Sequence, residues 1–222
     1  MRLGYINMRE QVIQSILENK IIAIVRGADV NQAVLAAGAV FKGGVKLIEV
    51  TFNQKSPESF IDTVNAIRSI KEKYPQMLVG AGTVLNKEQV DLAISAGAEY
   101  IISPDTDERV IKYTVEKGLV SLPGAYTASE IKRAYNAGAD FVKLFPCSDV
   151  NYLKALKAPL SHIKLVAVGG VNTENAVDFI NAGACGVGVG SSLINNKYLQ
   201  NGEYDKITQI AKNLVEEIKG EK

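Results

Sequence analysis

The chain has 222 residues, 47% of them hydrophobic and 22% charged, with a formal net charge of +1; that is enough for one sizeable core and short for two. So even a charge balance gives no electrostatic reason to expect nucleic acid or an anionic membrane as partner, and no apolar run reaches the roughly 18 residues needed to cross a bilayer. Two cysteines, Cys147 and Cys185, imply no disulfide framework, and the first twenty residues mix charged with apolar side chains unlike a secretory leader, so a cytoplasmic protein is expected.

In chain order, a leading helix is expected over 8–19, ahead of a first strand candidate at 21–25. Short runs rich in β-branched or aromatic residues follow at 47–52, 77–79, 100–102, 120–122, 141–145, 163–168 and 186–189, making eight candidates. The helical pattern between them is clearest over 56–74, where Ser56 can cap, Pro57 suits the first helical position, and Phe60, Val64, Ile67 and Ile70 share a face. Thr127-Ala128-Ser129-Glu130 has capping-box spacing, Asn86 and Asn172 suit N-caps, and a last helix is expected over 204–219. Ala96-Gly97-Ala98, Ala137-Gly138-Ala139 and Ala182-Gly183-Ala184 each separate a helix from an even-numbered strand, a part that Gly43-Gly44 plays before the second. Strict alternation without hairpin turns points to an α/β fold with a parallel sheet. Eight units favour a single closed (β/α)8 TIM barrel over an open doubly wound sheet, with an extra N-terminal helix within 1–20 closing the bottom. No linker or composition break divides residues 1–222, so one domain is expected.

Barrel enzymes carry their chemistry at the C-terminal ends of the strands. Those ends read Arg26, Glu49, Thr83, Ser103-Pro104, Pro123, Lys143, Gly169-Gly170 and Gly190-Ser191. Strand alternation puts Lys143 on one side with Phe141 and Phe145; an ammonium among aromatics is poorly solvated, which favours the neutral, nucleophilic amine. The alternative is a strand-end lysine that snorkels to water, as expected of Lys46 and Lys164 at strand starts. Glu49, also in a buried strand, is a natural proton carrier or else one half of an ion pair with Arg26 or Lys143. The glycine pairs after the last two strands suit phosphate, held by backbone N–H groups, or tight turns. His162 is the only histidine and falls on the opposite rim, so neither a metal site nor a Cys147 nucleophile with a histidine partner is expected, and no cofactor is implied.

The set Leu47-Ile48-Glu49-Val50-Thr51, Gly80-Ala81-Gly82-Thr83-Val84, Ile102-Ser103-Pro104, Pro123-Gly124, Val142-Lys143-Leu144-Phe145-Pro146, Gly169-Gly170-Val171 and Gly188-Val189-Gly190-Ser191 resembles the 2-keto-3-deoxy-6-phosphogluconate (KDPG) aldolase family, in order along nearly the whole chain. The resemblance implies a metal-free class I aldolase that cleaves a phosphorylated 2-keto acid to pyruvate and glyceraldehyde 3-phosphate, and a homotrimer. It implies Lys143 as the Schiff-base lysine and Glu49 as general acid/base. Thr83, Pro104 and Phe145 would line the pyruvate site, and Gly169, Gly170, Gly190 and Ser191 would hold phosphate. Where many gluconate-type members carry an arginine, this chain has Asn53, with Arg26 as a substitute cation for the substrate carboxylate. Asn53, the Arg26-Gly27 pair and Val168 resemble the branch acting on the galactonate epimer. Asp105 adds a carboxylate near the expected mouth, and the loop after Pro146 is about two residues shorter than in relatives. 4-Hydroxy-2-oxoglutarate is a further substrate candidate. A sugar-phosphate isomerase or decarboxylase, or a non-catalytic sugar-phosphate sensor, would share the scaffold.

Overall fold

The structure, a computed structural model, describes residues 8–220. The first seven positions of the leading segment, and residues 221 and 222, lie outside the described residues. The chain alternates β1 (Ile21–Val25), α2 (Val30–Lys42), β2 (Leu47–Thr51), α3 (Phe60–Lys73), β3 (Leu78–Gly82), α4 (Lys87–Ser95), β4 (Tyr100–Ile102) and α5 (Glu108–Glu116). The second half runs through β5 (Val120–Leu122), β6 (Gly124–Ala125), α6 (Ala128–Asn136), β7 (Val142–Leu144), α7 (Val150–Lys157), β8 (Leu165–Val168), α8 (Ala176–Asn181) and β9 (Gly186–Val189), and ends in α9 (Asn196–Asn201) and α10 (Tyr204–Lys219). A helix α1 (Met8–Asn19) precedes them all. Every strand pairing is parallel, in the order β5-β4-β3-β2-β1-β9-β8-β7-β6.

The eight strands expected are nine, and the cause is local. Proline has no N–H for a ladder, so Pro123 divides the fifth strand into β5 and β6. The divided strand still closes the barrel. Its first part pairs with β4, its second with β7, and the Pro123 carbonyl between them accepts from the Lys143 N–H at 2.9 Å. Two helix starts also differ from expectation. The 56–74 segment opens as a 3-10 turn at Pro57–Ser59 before α3, and Ser56 makes no capping bond. Asn172 instead caps a turn ahead of α8, its Oδ1 accepting from the N–H groups of Glu174 and Asn175. Asn86 caps α4, and Thr127 and Glu130 form the capping box of α6.

Two apolar layers follow from the period of two. Outward residues such as Ile48, Val79, Val142 and Val187 pack against the helices. Inward residues Ile22, Ile24, Leu47, Tyr100, Ile102, Val120, Leu122, Phe141, Val166 and Val168 fill the barrel, and Val12 and Ile16 of α1 join them, so that the leading helix plugs the lumen. No helix among the described residues is long and apolar enough to cross a membrane.

Glycine on the inward face of β3 decides what fits beside it. A Cβ on Gly80 would collide with the Tyr100 ring, and one on Gly82 with the Glu49 carboxyl group. Tyr100 is fully buried and its hydroxyl donates to the Ile48 carbonyl at 2.7 Å, so it has no room to retreat. Gly80→Ala is therefore expected to lower stability by about 1–3 kcal/mol through overpacking, read in thermal melts as roughly 2–4 °C per kcal/mol. An unchanged melting temperature would contradict this packing.

Candidate active site

The strand ends converge on one cleft of about 540 Å³ at the C-terminal mouth of the barrel. Its lining includes Arg26, Glu49, Thr83, Pro104, Lys143, Phe145, Gly169, Gly170, Gly190 and Ser191. Thus ten of the eleven site residues expected from sequence meet there. Asn53 is the exception: it lines a separate cavity of about 240 Å³ with Asp29, Ser59 and Asp62, and its Oδ1 accepts from the Lys55 N–H at 3.1 Å. The chain turns outward after β2, which carries Asn53 away from the cleft that Glu49 faces.

Lys143 is 7% exposed and Glu49 3%. Among the described residues, neither side chain makes a hydrogen bond or a direct ion pair, so each presents its polar end to the cleft. The Lys143 Nζ stands 4.9 Å from the centre of the Phe145 ring. Burial holds the Lys143 amine below the ordinary lysine range; the Glu49 charge opposes that shift, Arg26 adds to it and Asp105 opposes it. Burial likewise raises the Glu49 carboxyl, against the pull of Lys143 and Arg26. Both groups are pushed toward neutrality, which readies the amine to attack a carbonyl and the carboxyl to give or take a proton.

The two last strand ends form the other wall. The N–H groups of Gly169, Gly170, Gly190 and Ser191 donate to no carbonyl among the described residues. After Gly190 the chain makes a helical turn, the N–H groups of Leu193 and Ile194 both reaching the Gly190 carbonyl at 2.9 and 2.8 Å. A Cβ on Gly170 would crowd Ser148 at 2.9 Å, and its φ of +105° suits glycine alone. Both pairs line the cleft with N–H groups that no carbonyl takes up, the kind of backbone donor that anions accept from.

Thr83 holds an uncommon backbone conformation. Its φ is +56°, a left-handed geometry that costs a β-branched residue on the order of 1–3 kcal/mol. Its hydroxyl has no protein partner among the described residues, while the Gln54 Nε2 donates to its carbonyl at 2.6 Å. The sequence reading missed Gln54 and Gln89, which lie outside the cleft, and Asn172 and Ser192, which line it. The last two could have been found as continuations of the glycine-rich strand ends; Ser192 Oγ donates to the Val171 carbonyl at 2.8 Å and ties the two ends together.

Among the described residues, no group of three or more His, Cys, Asp or Glu is placed to hold a metal ion. Burial pushes the Cys147 thiol up to about 11 and Cys185 to about 12, so both stay protonated near neutral pH and are poor nucleophiles. His162 is exposed and packs edge-on against Tyr135, with ring centres 5.2 Å apart.

The sequence model described as "Aldolase: KDPG and KHG aldolase" matches residues 12–210. The chain belongs to that family. It is an aldolase, a carbon–carbon lyase by class. It is 40% identical to the 2-dehydro-3-deoxy-6-phosphogalactonate aldolase of Escherichia coli K12 over 177 residues, 78% of this chain and 83% of that one. It is 33% identical to the KHG/KDPG aldolase of the same organism over 199 residues, 88% of this chain and 91% of that one. A solved structure described as native KDPGal superposes with a TM-score of 0.80 at 36% identity, covering 90% of this chain and 94% of that one.

The shifts in this aldolase carry a stability consequence. A lysine whose folded pKa is depressed penalises folding at pH values below its ordinary 10.5, and a carboxyl whose folded pKa is raised does so above its ordinary 4.5. Both penalties therefore apply near neutral pH. The double variant Glu49→Gln/Lys143→Met should melt higher than wild type there, by roughly 2–4 °C for each kcal/mol relieved. A lower melting temperature would mean that the pair attracts more than its burial costs.

Proposed function

We propose that the protein cleaves a 2-keto-3-deoxy-6-phospho sugar acid to pyruvate and glyceraldehyde 3-phosphate through a Schiff base on Lys143. The observation that carries this is a buried amine held toward neutrality, facing a buried carboxyl across a cleft whose far wall offers unpaired N–H groups. The neutral Nζ attacks the C2 carbonyl carbon, and loss of water gives an iminium. Glu49 takes the C4 hydroxyl proton, the O–H electrons form the aldehyde carbonyl, and the C3–C4 pair flows into the iminium to leave an enamine. Protonation at C3 and hydrolysis then release pyruvate and restore the amine.

In this reading Arg26 and Thr83 hold the keto-acid carboxylate, and Pro104 and Phe145 wall the pyruvate methyl. Gly169, Gly170, Gly190 and Ser191 bind the phosphate. Asn53 stands outside this set, because it faces another cavity. Arg26 in the cleft and Asn53 outside it favour the galactonate epimer as a second reading within the same chemistry, in line with the name of the 40% identical relative. 4-Hydroxy-2-oxoglutarate is a further substrate candidate. The reading includes a cytoplasmic homotrimer, for which light scattering on the purified protein is the direct check.

Incubation with pyruvate and borohydride should add the mass of one reduced pyruvate per chain, and peptide mapping should find it on Lys143. An adduct that persists undiminished in Lys143→Ala would overturn the assignment. Glu49→Gln should lower kcat by about 10²–10⁴-fold. Turnover that stops with chelator would instead favour a metal-dependent isomerase or decarboxylase.

A further inference from the structure

Thr83 is held in its left-handed conformation by something other than its own preference, and the surrounding polar groups identify the device. Gln89, on the first turn of α4, is 0% exposed, an unusual place for an amide that can form several hydrogen bonds. Its Oε1 accepts from the Leu85 N–H at 2.7 Å, and its Nε2 donates to the Gln54 Oε1 at 2.9 Å. Gln54, in the loop after β2, passes its own Nε2 to the Thr83 carbonyl at 2.6 Å. Asn86 fixes the start of this chain of bonds by capping the Gln89 N–H at 2.9 Å.

The direction of each amide in the chain is dictated by its ends. A backbone N–H can only donate, so the Gln89 atom at Leu85 must be its oxygen. Its other end is then a donor, so the Gln54 atom facing it must be an oxygen too. That leaves the Gln54 amino group toward Thr83, where a carbonyl can only accept. Two glutamines thus clamp both sides of the 83–85 turn, at the Thr83 C=O and the Leu85 N–H. The clamp joins α4 to the loop after β2.

We infer that Gln54 and Gln89 are positioning residues that hold Thr83 strained, with its hydroxyl free in the cleft, and thereby set affinity for the keto acid. The inference rests on the reading that Thr83 contacts that substrate. Neither glutamine touches the cleft; both act through the backbone of the residue that does. Thr83 then contributes equally to ground-state and transition-state binding, so loosening it moves KM and spares kcat.

The test is steady-state cleavage of the phosphorylated keto acid together with pyruvate trapping by borohydride. Gln54 is exposed, so Gln54→Leu removes the bond to Thr83, and with it the bond from Gln89, without opening a cavity in the core. Gln89→Glu keeps the Leu85 bond but turns the Gln54 amino group toward the new carboxylate, leaving two oxygens facing each other at Thr83. Each variant should raise KM about tenfold with kcat within about twofold of wild type, and trapping on Lys143 should persist at saturating pyruvate. The double variant should be no worse than Gln89→Glu alone, because both changes break the same bond. Trapping intact with KM unmoved in Gln54→Leu, or effects that multiply in the double variant, would overturn the clamp alone. A wild type that traps no pyruvate would overturn the Schiff-base reading first, and the clamp with it.

Discussion

A lysine and a glutamate kept out of water inside an apolar barrel form the constraint on which the rest of this structure depends. Lys143 and Glu49 come from strands on opposite arcs of the sheet, and only closure brings them to face one cleft. Burial alone would neutralise each; together they partly restore each other's charge, yet burial is the larger influence on both. Such a pair is a poor stabilising device and a good reactive one.

The barrel makes room for that pair by removing side chains around it. Gly82 leaves space for the Glu49 carboxyl group, Gly124 lies against the Pro104 carbonyl, and Gly188 yields to Val168 and Ile24. Below this level the lumen is solid, filled by Tyr100, Phe141 and their neighbours and sealed by Val12 and Ile16 of the leading helix. The cleft is thus open at one end only. At its mouth stand Gly169, Gly170, Gly190 and Ser191, whose N–H groups have no carbonyl partner among the described residues.

Much of this was legible in the residues, because its physics is periodic. Alternation placed Lys143 with Phe141 and Phe145, and the strand ends held nine of the cleft residues. The misses have local causes. Pro123 reads as a strand end but splits the fifth strand, since a proline interrupts a ladder while the chain on either side continues to pair. Asn53 lies four residues after Glu49, but the turn after β2 carries it to a different cavity, and no periodic rule covers such a turn. The Gln54–Gln89 chain of bonds was invisible for the same reason: its partners are 35 residues apart and meet through loop geometry. Thr83 gave no sign of its positive φ, which is rare for threonine.

The most direct test of the account is the ionisation of Lys143 itself. Isotope-labelled lysine followed by NMR across a pH titration, with Lys143→Met to assign the signal, would read it without any substrate. The account predicts a midpoint below the ordinary lysine value of 10.5, and a further fall in Glu49→Gln, where the opposing charge is gone. A midpoint at or above that value would mean that the amine stays a solvated cation, and the proposed chemistry would lose its nucleophile.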